Sequence, residues 1–132
     1  MNTNVAPSYG ELIGEWLTDQ TWTHFTTITA PFPLSINSAR RLAERTLSRW
    51  KSITNANANM AYAIERNGDG FSHHIHAVVK FKAEVTPDMF GDLVGITTKG
   101  RIDLQRYDKS LAGARYILKC VTTKADNWDI IN

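Results

Sequence analysis

The chain has a single cysteine, Cys120, among 132 residues. An internal disulfide is therefore excluded, and the lone thiol agrees with a reducing compartment. No apolar stretch approaches the roughly 20 residues that a membrane-crossing helix requires, and the N-terminus carries no signal-peptide pattern. A dominant charge is missing too: 15 Lys and Arg stand against 13 Asp and Glu, a formal net charge of +2. Such a balance permits nucleic-acid binding through one basic face without demanding it. There is no Gly-x-x-x-x-Gly-Lys-[Ser/Thr] phosphate loop, so no fused helicase is expected in this chain.

What is present is ordinary for a soluble globular protein, with 42% hydrophobic and 21% charged residues. The length suits one domain over 1–132, with a core that needs no disulfide. The polar ends, 1–8 and 124–132, are expected to be loosely held. The second carries Trp128 and two isoleucines, and either packs back on the domain or leads into a further region.

The most informative stretch is Phe71 to Lys82, "FSHHIHAVVKFK". It reads as a strand, on which side chains alternate between faces. His74, His76 and Val78 share one face; Ile75, Ala77 and Val79 share the other and would enter a core. Upstream, "AYAIERNG" is a second strand, with Tyr62 and Ile64 on its apolar face and Glu65 opposite. Asn67-Gly68-Asp69-Gly70 is a strong hairpin turn signal between them. The two strands should therefore be antiparallel neighbours, with Glu65 beside the histidines. Two imidazoles and a carboxylate with positions left open suit a catalytic metal. Carboxylate plus imidazole admits Mn²⁺ or Mg²⁺, and Mn²⁺ is favoured because Mg²⁺ prefers oxygen ligands.

Elsewhere, a short helix is expected over 9–17 and a Thr- and aromatic-rich strand over 22–30. Ile36, Ala39, Ala43, Leu47 and Trp50 lie at helical spacing within 35–51, with Ser35 or Asn37 as cap. Arg41, Arg45 and Arg49 repeat every four residues on the roughly opposite face and read as a solvated stripe. Residues 52–59 read as a polar loop. A second helix over 86–93 has Thr86 as its cap and Pro87 at its first position. A strand follows in the second half of 96–107, then a helix from Asp108 or Ser110 to about Thr122 with Leu111, Ala114, Leu118 and Val121 inward. This order implies an α+β, ferredoxin-like or RRM-like domain: a largely antiparallel sheet, helices on one face, and the site on the open face.

Three motifs in this order resemble those of the HUH endonucleases, the Rep-type initiators of rolling-circle replication. "FTTIT" at Phe25 to Thr29 is similar to the family's first motif, "HIH" at His74 to His76 to its second, and "YILK" at Tyr116 to Lys119 to its Tyr-x-x-Lys motif. The resemblance implies a nickase and strand transferase acting on single-stranded origin DNA, in which a hairpin can form. Tyr116 would be the nucleophile, assisted by Lys119; His74, His76 and Glu65 would bind one divalent ion. Thr27 and Thr29 of the first motif, and Arg115, are then candidate DNA contacts. A helicase would act in trans, with no membrane and no small-molecule substrate involved. The compartment would be the cytoplasm of a bacterial host, or the nucleus for a eukaryotic replicon. The chain carries one tyrosine here where part of the family has a pair, which leaves the ending of a replication round open.

Other readings compete. An HUH transposase usually carries glutamine near its tyrosine, and a mobilisation relaxase usually a three-histidine site; Lys119 and Glu65 argue against both. A silent RRM-like binding module would expose stacking aromatics where this chain has ligand-type residues. Tyr107 is the runner-up nucleophile but lacks a lysine on its own helical face. His24 and His73 read as structural, and Cys120 as buried rather than reactive.

Overall fold

The computed structural model describes residues 12, 15–17, 20–95, 101–108, 117 and 127–131. Along the chain come β1 (His24–Thr29), α1 (Ile36–Thr54), β2 (Ala58–Arg66), β3 (His73–Phe81), α2 (Pro87–Val94), β4 (Arg101–Arg106) and β5 (Trp128–Ile131). The strands form one sheet in the order β4-β1-β3-β2-β5, and every pairing is antiparallel. The first four strands with α1 and α2 make the ferredoxin-like β-α-β-β-α-β arrangement, and β5 extends the sheet beyond β2.

α1 begins where Ser35, in extended backbone, accepts a hydrogen bond from the Ser38 amide at 3.0 Å. That satisfies one of the amides left without a partner at a helix start. Its inward stripe is Ala39, Leu42, Ala43, Thr46, Leu47 and Trp50. The helix runs one turn beyond the expected end at 51. The Thr54 hydroxyl donates back to the Trp50 carbonyl at 2.8 Å, and the stop comes at Asn55, whose φ of 51° Asn tolerates better than most residues. β2 also starts inside the expected loop, because Ala58 and Met60 are each only 1% exposed and belong to the buried set.

α2 has the expected start: Thr86 accepts from the Met89 amide at 3.2 Å, and Pro87 stands at the first position. It ends at Gly95, with φ +71°. A Cβ there would meet Arg49 Nη1 at 2.9 Å, and Arg45 Nη2 donates to the Val94 carbonyl at 3.4 Å. Two members of the arginine stripe therefore sit at the C-terminal end of α2, where the helix dipole favours cations.

Both helices cover the same face of the sheet. Ile28, Met60, Tyr62, Ile64, Ile75, Ala77 and Val79 project from the strands into a core completed by Leu42, Leu47, Trp50, Phe90 and Leu93. The other face is open at the histidines, as expected, and covered beside them. Ala61, Ala63 and Val78 are apolar on that face and need cover. Leu17 and Ile117 supply it, with Trp22, all in one smaller cluster. Trp22 is held by its indole N–H, which donates to the Leu17 carbonyl at 2.8 Å. Trp128 and Ile130 of β5 pack on the same cluster, so part of the tail expected to be loose is a sheet strand.

Trp50 is 1% exposed, and its ring centre lies 4.5 Å from that of Phe81. Trp50→Ala should lower stability by about 3–5 kcal/mol, the usual cost of emptying a large aromatic site in a core. The urea midpoint at unchanged slope measures it. A loss below about 1 kcal/mol would mean that α1 does not carry the core.

Candidate metal centre

The β2–β3 hairpin sets the site. Its register pairs Glu65 with His74 and Ala63 with His76. Residues directly opposite each other share a face, so the carboxylate and both imidazoles meet on the side away from α1 and α2. From the other flank β1 pairs Thr27 with His76 and Phe25 with Val78. The small Ala63 opposite His76 leaves room for the ring, and Phe25 stacks beside that ring with centroids 6.0 Å apart and planes 18° apart.

The three donor atoms form a tight triangle. His74 Nε2 and His76 Nε2 are 2.9 Å apart; Glu65 Oε2 is 3.5 Å from the first and 3.1 Å from the second. Points so spaced lie on a circle of radius about 1.8 Å, smaller than the roughly 2.0–2.2 Å bond of a small divalent ion to nitrogen or oxygen. One ion can therefore touch all three from one side, with its remaining positions open. The site is reachable: the Glu65, His74 and His76 side chains keep 32%, 20% and 12% of their surface exposed. Among the described residues this is the cluster of His, Cys, Asp and Glu that could hold a metal.

Both ligand rings are oriented through their other nitrogen. His74 Nδ1 is bonded to Asn67 Oδ1, and His76 Nδ1 lies 3.1 Å from Thr27 Oγ1. Such outer partners fix ring angle and tautomer at metal sites. Burial, and secondarily the neighbouring His74, hold His76 below its ordinary pKa, with Glu65 pulling the other way. The ring is thus kept in the neutral form that ligates metals.

The remaining histidines lie elsewhere. His73 is buried, with Nδ1 donating to the Leu34 carbonyl at 2.9 Å, and His24 is buried with Nδ1 2.9 Å from Thr23 Oγ1. Thr27, a candidate DNA contact, has its hydroxyl against His76. Thr29 lies on the same face, half-buried and paired with Arg101. Tyr107 packs at the edge of the second cluster. Tyr116, Lys119, Arg115 and Cys120 lie outside the described residues, as does most of the helix expected from 108 or 110 to 122. Its described member, Ile117, is helical and fully buried on the histidine face. The sequence reading took Asn67 for a turn residue alone and missed its bond to His74. Its only signal was an amide residue seven positions before a ligand.

No protein-family model and no curated protein matches the chain in sequence. In structure it is similar to the crystal structure of the hypothetical protein ORF119 from Sulfolobus islandicus rod-shaped virus 1. The TM-score is 0.57 at 15% sequence identity, over 86% of this chain and 92% of that one. At that identity the likeness is one of fold.

His76 and His24 both have lowered pKa values, each chiefly through burial. The unfolded chain therefore takes up protons first as pH falls through about 6.5, and stability should drop between there and the lower folded-state values. Metal-free protein should melt at a lower temperature at pH 5 than at pH 7, and His24→Gln should shrink that difference. A melting temperature that is flat or rises toward pH 5 would contradict this.

Proposed function

We propose that this chain is a metal-dependent nickase and strand transferase for single-stranded DNA, of the Rep type that initiates rolling-circle replication. The observation that carries the reading is the triangle of His74, His76 and Glu65 donors on a reachable sheet face. The order of the three motifs supports it. So does Ile117, buried on the histidine face immediately after Tyr116 in sequence.

A divalent ion bound by the three ligands, Mn²⁺ or Mg²⁺, would polarise a phosphate oxygen and orient the phosphodiester. Tyr116 supplies the nucleophile. Its phenol, with an ordinary pKa near about 10, gives up its proton as its oxygen attacks phosphorus. The bond from phosphorus to the 3′ oxygen breaks, and that oxygen takes up a proton to leave as a 3′-hydroxyl. The 5′ side stays on the enzyme as a phosphotyrosine ester, so the reverse step can reseal a strand without a nucleotide. Lys119, three residues after Tyr116 in sequence, stabilises negative charge on the phenolate or phosphate. The replication partners would be origin DNA and a helicase acting in trans.

The test mixes the protein with single-stranded oligonucleotides that include the replicon's own origin, with Mn²⁺ or with EDTA, and resolves the products on a denaturing gel. A covalent protein–DNA band should require the metal. It should vanish in Tyr116→Phe, whose Mn²⁺ affinity should stay within about twofold, while His76→Ala should lose metal binding and adduct together. An undiminished adduct in Tyr116→Phe would move the nucleophile to Tyr107. Intact DNA binding with no adduct would leave a silent binding module.

A further inference from the structure

We infer that the turn joining β2 to β3 is also the positioning device of the metal centre: Asp69, Ser72 and Asn67 form a one-way hydrogen-bond relay that holds His74 as its Nδ1–H tautomer, with Nε2 presented to the ion. The inference rests on the metal-centre reading and deepens it.

Direction can be followed atom by atom from the far end. The Asp69 carboxylate accepts from the Phe71 amide at 3.0 Å and the Ser72 amide at 2.9 Å, through Oδ1. Its Oδ2 is bonded to Ser72 Oγ. These bonds, the Ser72 hydroxyl foremost, hold the Asp69 carboxyl below its ordinary pKa. An ionised carboxylate only accepts, so the single hydroxyl proton of Ser72 must point at Asp69. Ser72 Oγ can then only accept from its other neighbour, Asn67 Nδ2, 2.7 Å away. That bond places the amide N–H₂ on Ser72 and leaves Oδ1 facing His74 Nδ1. A carbonyl oxygen cannot donate, so Nδ1 must carry the proton, and in the neutral ring Nε2 then holds the lone pair. The imidazole is thereby committed before any ion arrives.

The backbone shows that the turn does not itself require the Asn67 and Ser72 side chains. Gly70 carries the left-handed conformation at φ +85°, and the Asn67 amide closes the hairpin on the Ser72 carbonyl at 2.8 Å. Asn67 lies outside the positive-φ set, so another residue can adopt its backbone. Ser72 is 5% exposed although its side chain is polar, which is sustainable because both hydrogen-bonding roles of its hydroxyl are used. Thr27 Oγ1 lies 3.1 Å from His76 Nδ1, from a different strand, and as a hydroxyl it can serve either tautomer of that ring.

The experiment has two readouts on wild type, Asn67→Leu, Asn67→Asp and Ser72→Ala, each first checked for a folded amide spectrum. One is the nitrogen-15 imidazole spectrum of the metal-free proteins at pH 8, which reports the His74 tautomer directly. The other is the affinity for Mn²⁺ alone. Wild type should show His74 as a single Nδ1–H form. Asn67→Leu should show mixed tautomers and bind Mn²⁺ about 10–100-fold more weakly, the usual effect of losing an outer-sphere partner. Asn67→Asp still accepts from Nδ1–H once the Ser72 hydroxyl turns from Asp69 to its second oxygen, so it should keep the tautomer and stay within about threefold of wild type. Ser72→Ala frees the amide to rotate and should give mixed tautomers. An unchanged tautomer in Asn67→Leu or in Ser72→Ala overturns the relay, as does Asn67→Asp failing like Asn67→Leu. If wild type binds no Mn²⁺, the metal reading falls, while the metal-free spectrum still decides the relay.

Discussion

The pairing of Glu65 with His74 across the β2–β3 hairpin is the constraint on which the rest of the site depends. Side chains repeat every two residues along a strand, so slipping the register by one residue would carry Glu65 to the α1 face and leave the histidines without it. Two things resist such a slip. The turn over 67–72 closes on itself through backbone and side-chain bonds. And Met60, Tyr62 and Ile64, all nearly fully buried, would have to leave the core beneath the helices together. The energy that holds the ligands in place is thus supplied mostly by apolar residues on the opposite side of the same two strands.

The second cluster gives the histidine face its particular character. A sheet with one face wholly bare would leave Ala61, Ala63 and Val78 wet. Instead Leu17, Trp22 and Ile117 bury them, and the polar group lies at the margin of that cover. The result is a donor triangle beside an apolar wall. It is shielded enough to depress the pKa of His76 yet exposed enough for a ligand to reach Glu65.

Much of this was legible in the residues because several signals coincided. The hairpin had alternation on both strands and an Asn-Gly-Asp-Gly turn between them, so strand, partner, direction and face all followed. α2 announced itself with Thr86 and Pro87. Other features carried no such agreement. The last turn of α1 depends on a Thr54 hydroxyl bonding backward, a choice that a polar run does not reveal. β5 has four half-buried residues in a row, "WDII", with no alternation in burial, since Trp128 and Ile130 pack on one cluster and Ile131 on the other, and it is recognisable only once β2 offers an edge. Asn67 escaped notice for the opposite reason: the turn already accounted for it, and a residue with one sufficient explanation gives no hint of a second. For Thr27, expected as a DNA contact, nothing in the sequence signalled that its hydroxyl also lies against His76.

β3 is the middle strand of five, bonded on both flanks and packed on both faces. Its amides should be among the last to exchange with solvent, opening only when the whole domain opens. Ligands mounted on such a strand cannot swing toward an incoming molecule or close behind it. Whatever binds at this centre has to arrive already shaped to it, so the conformational cost of recognition falls on the guest and very little on the protein.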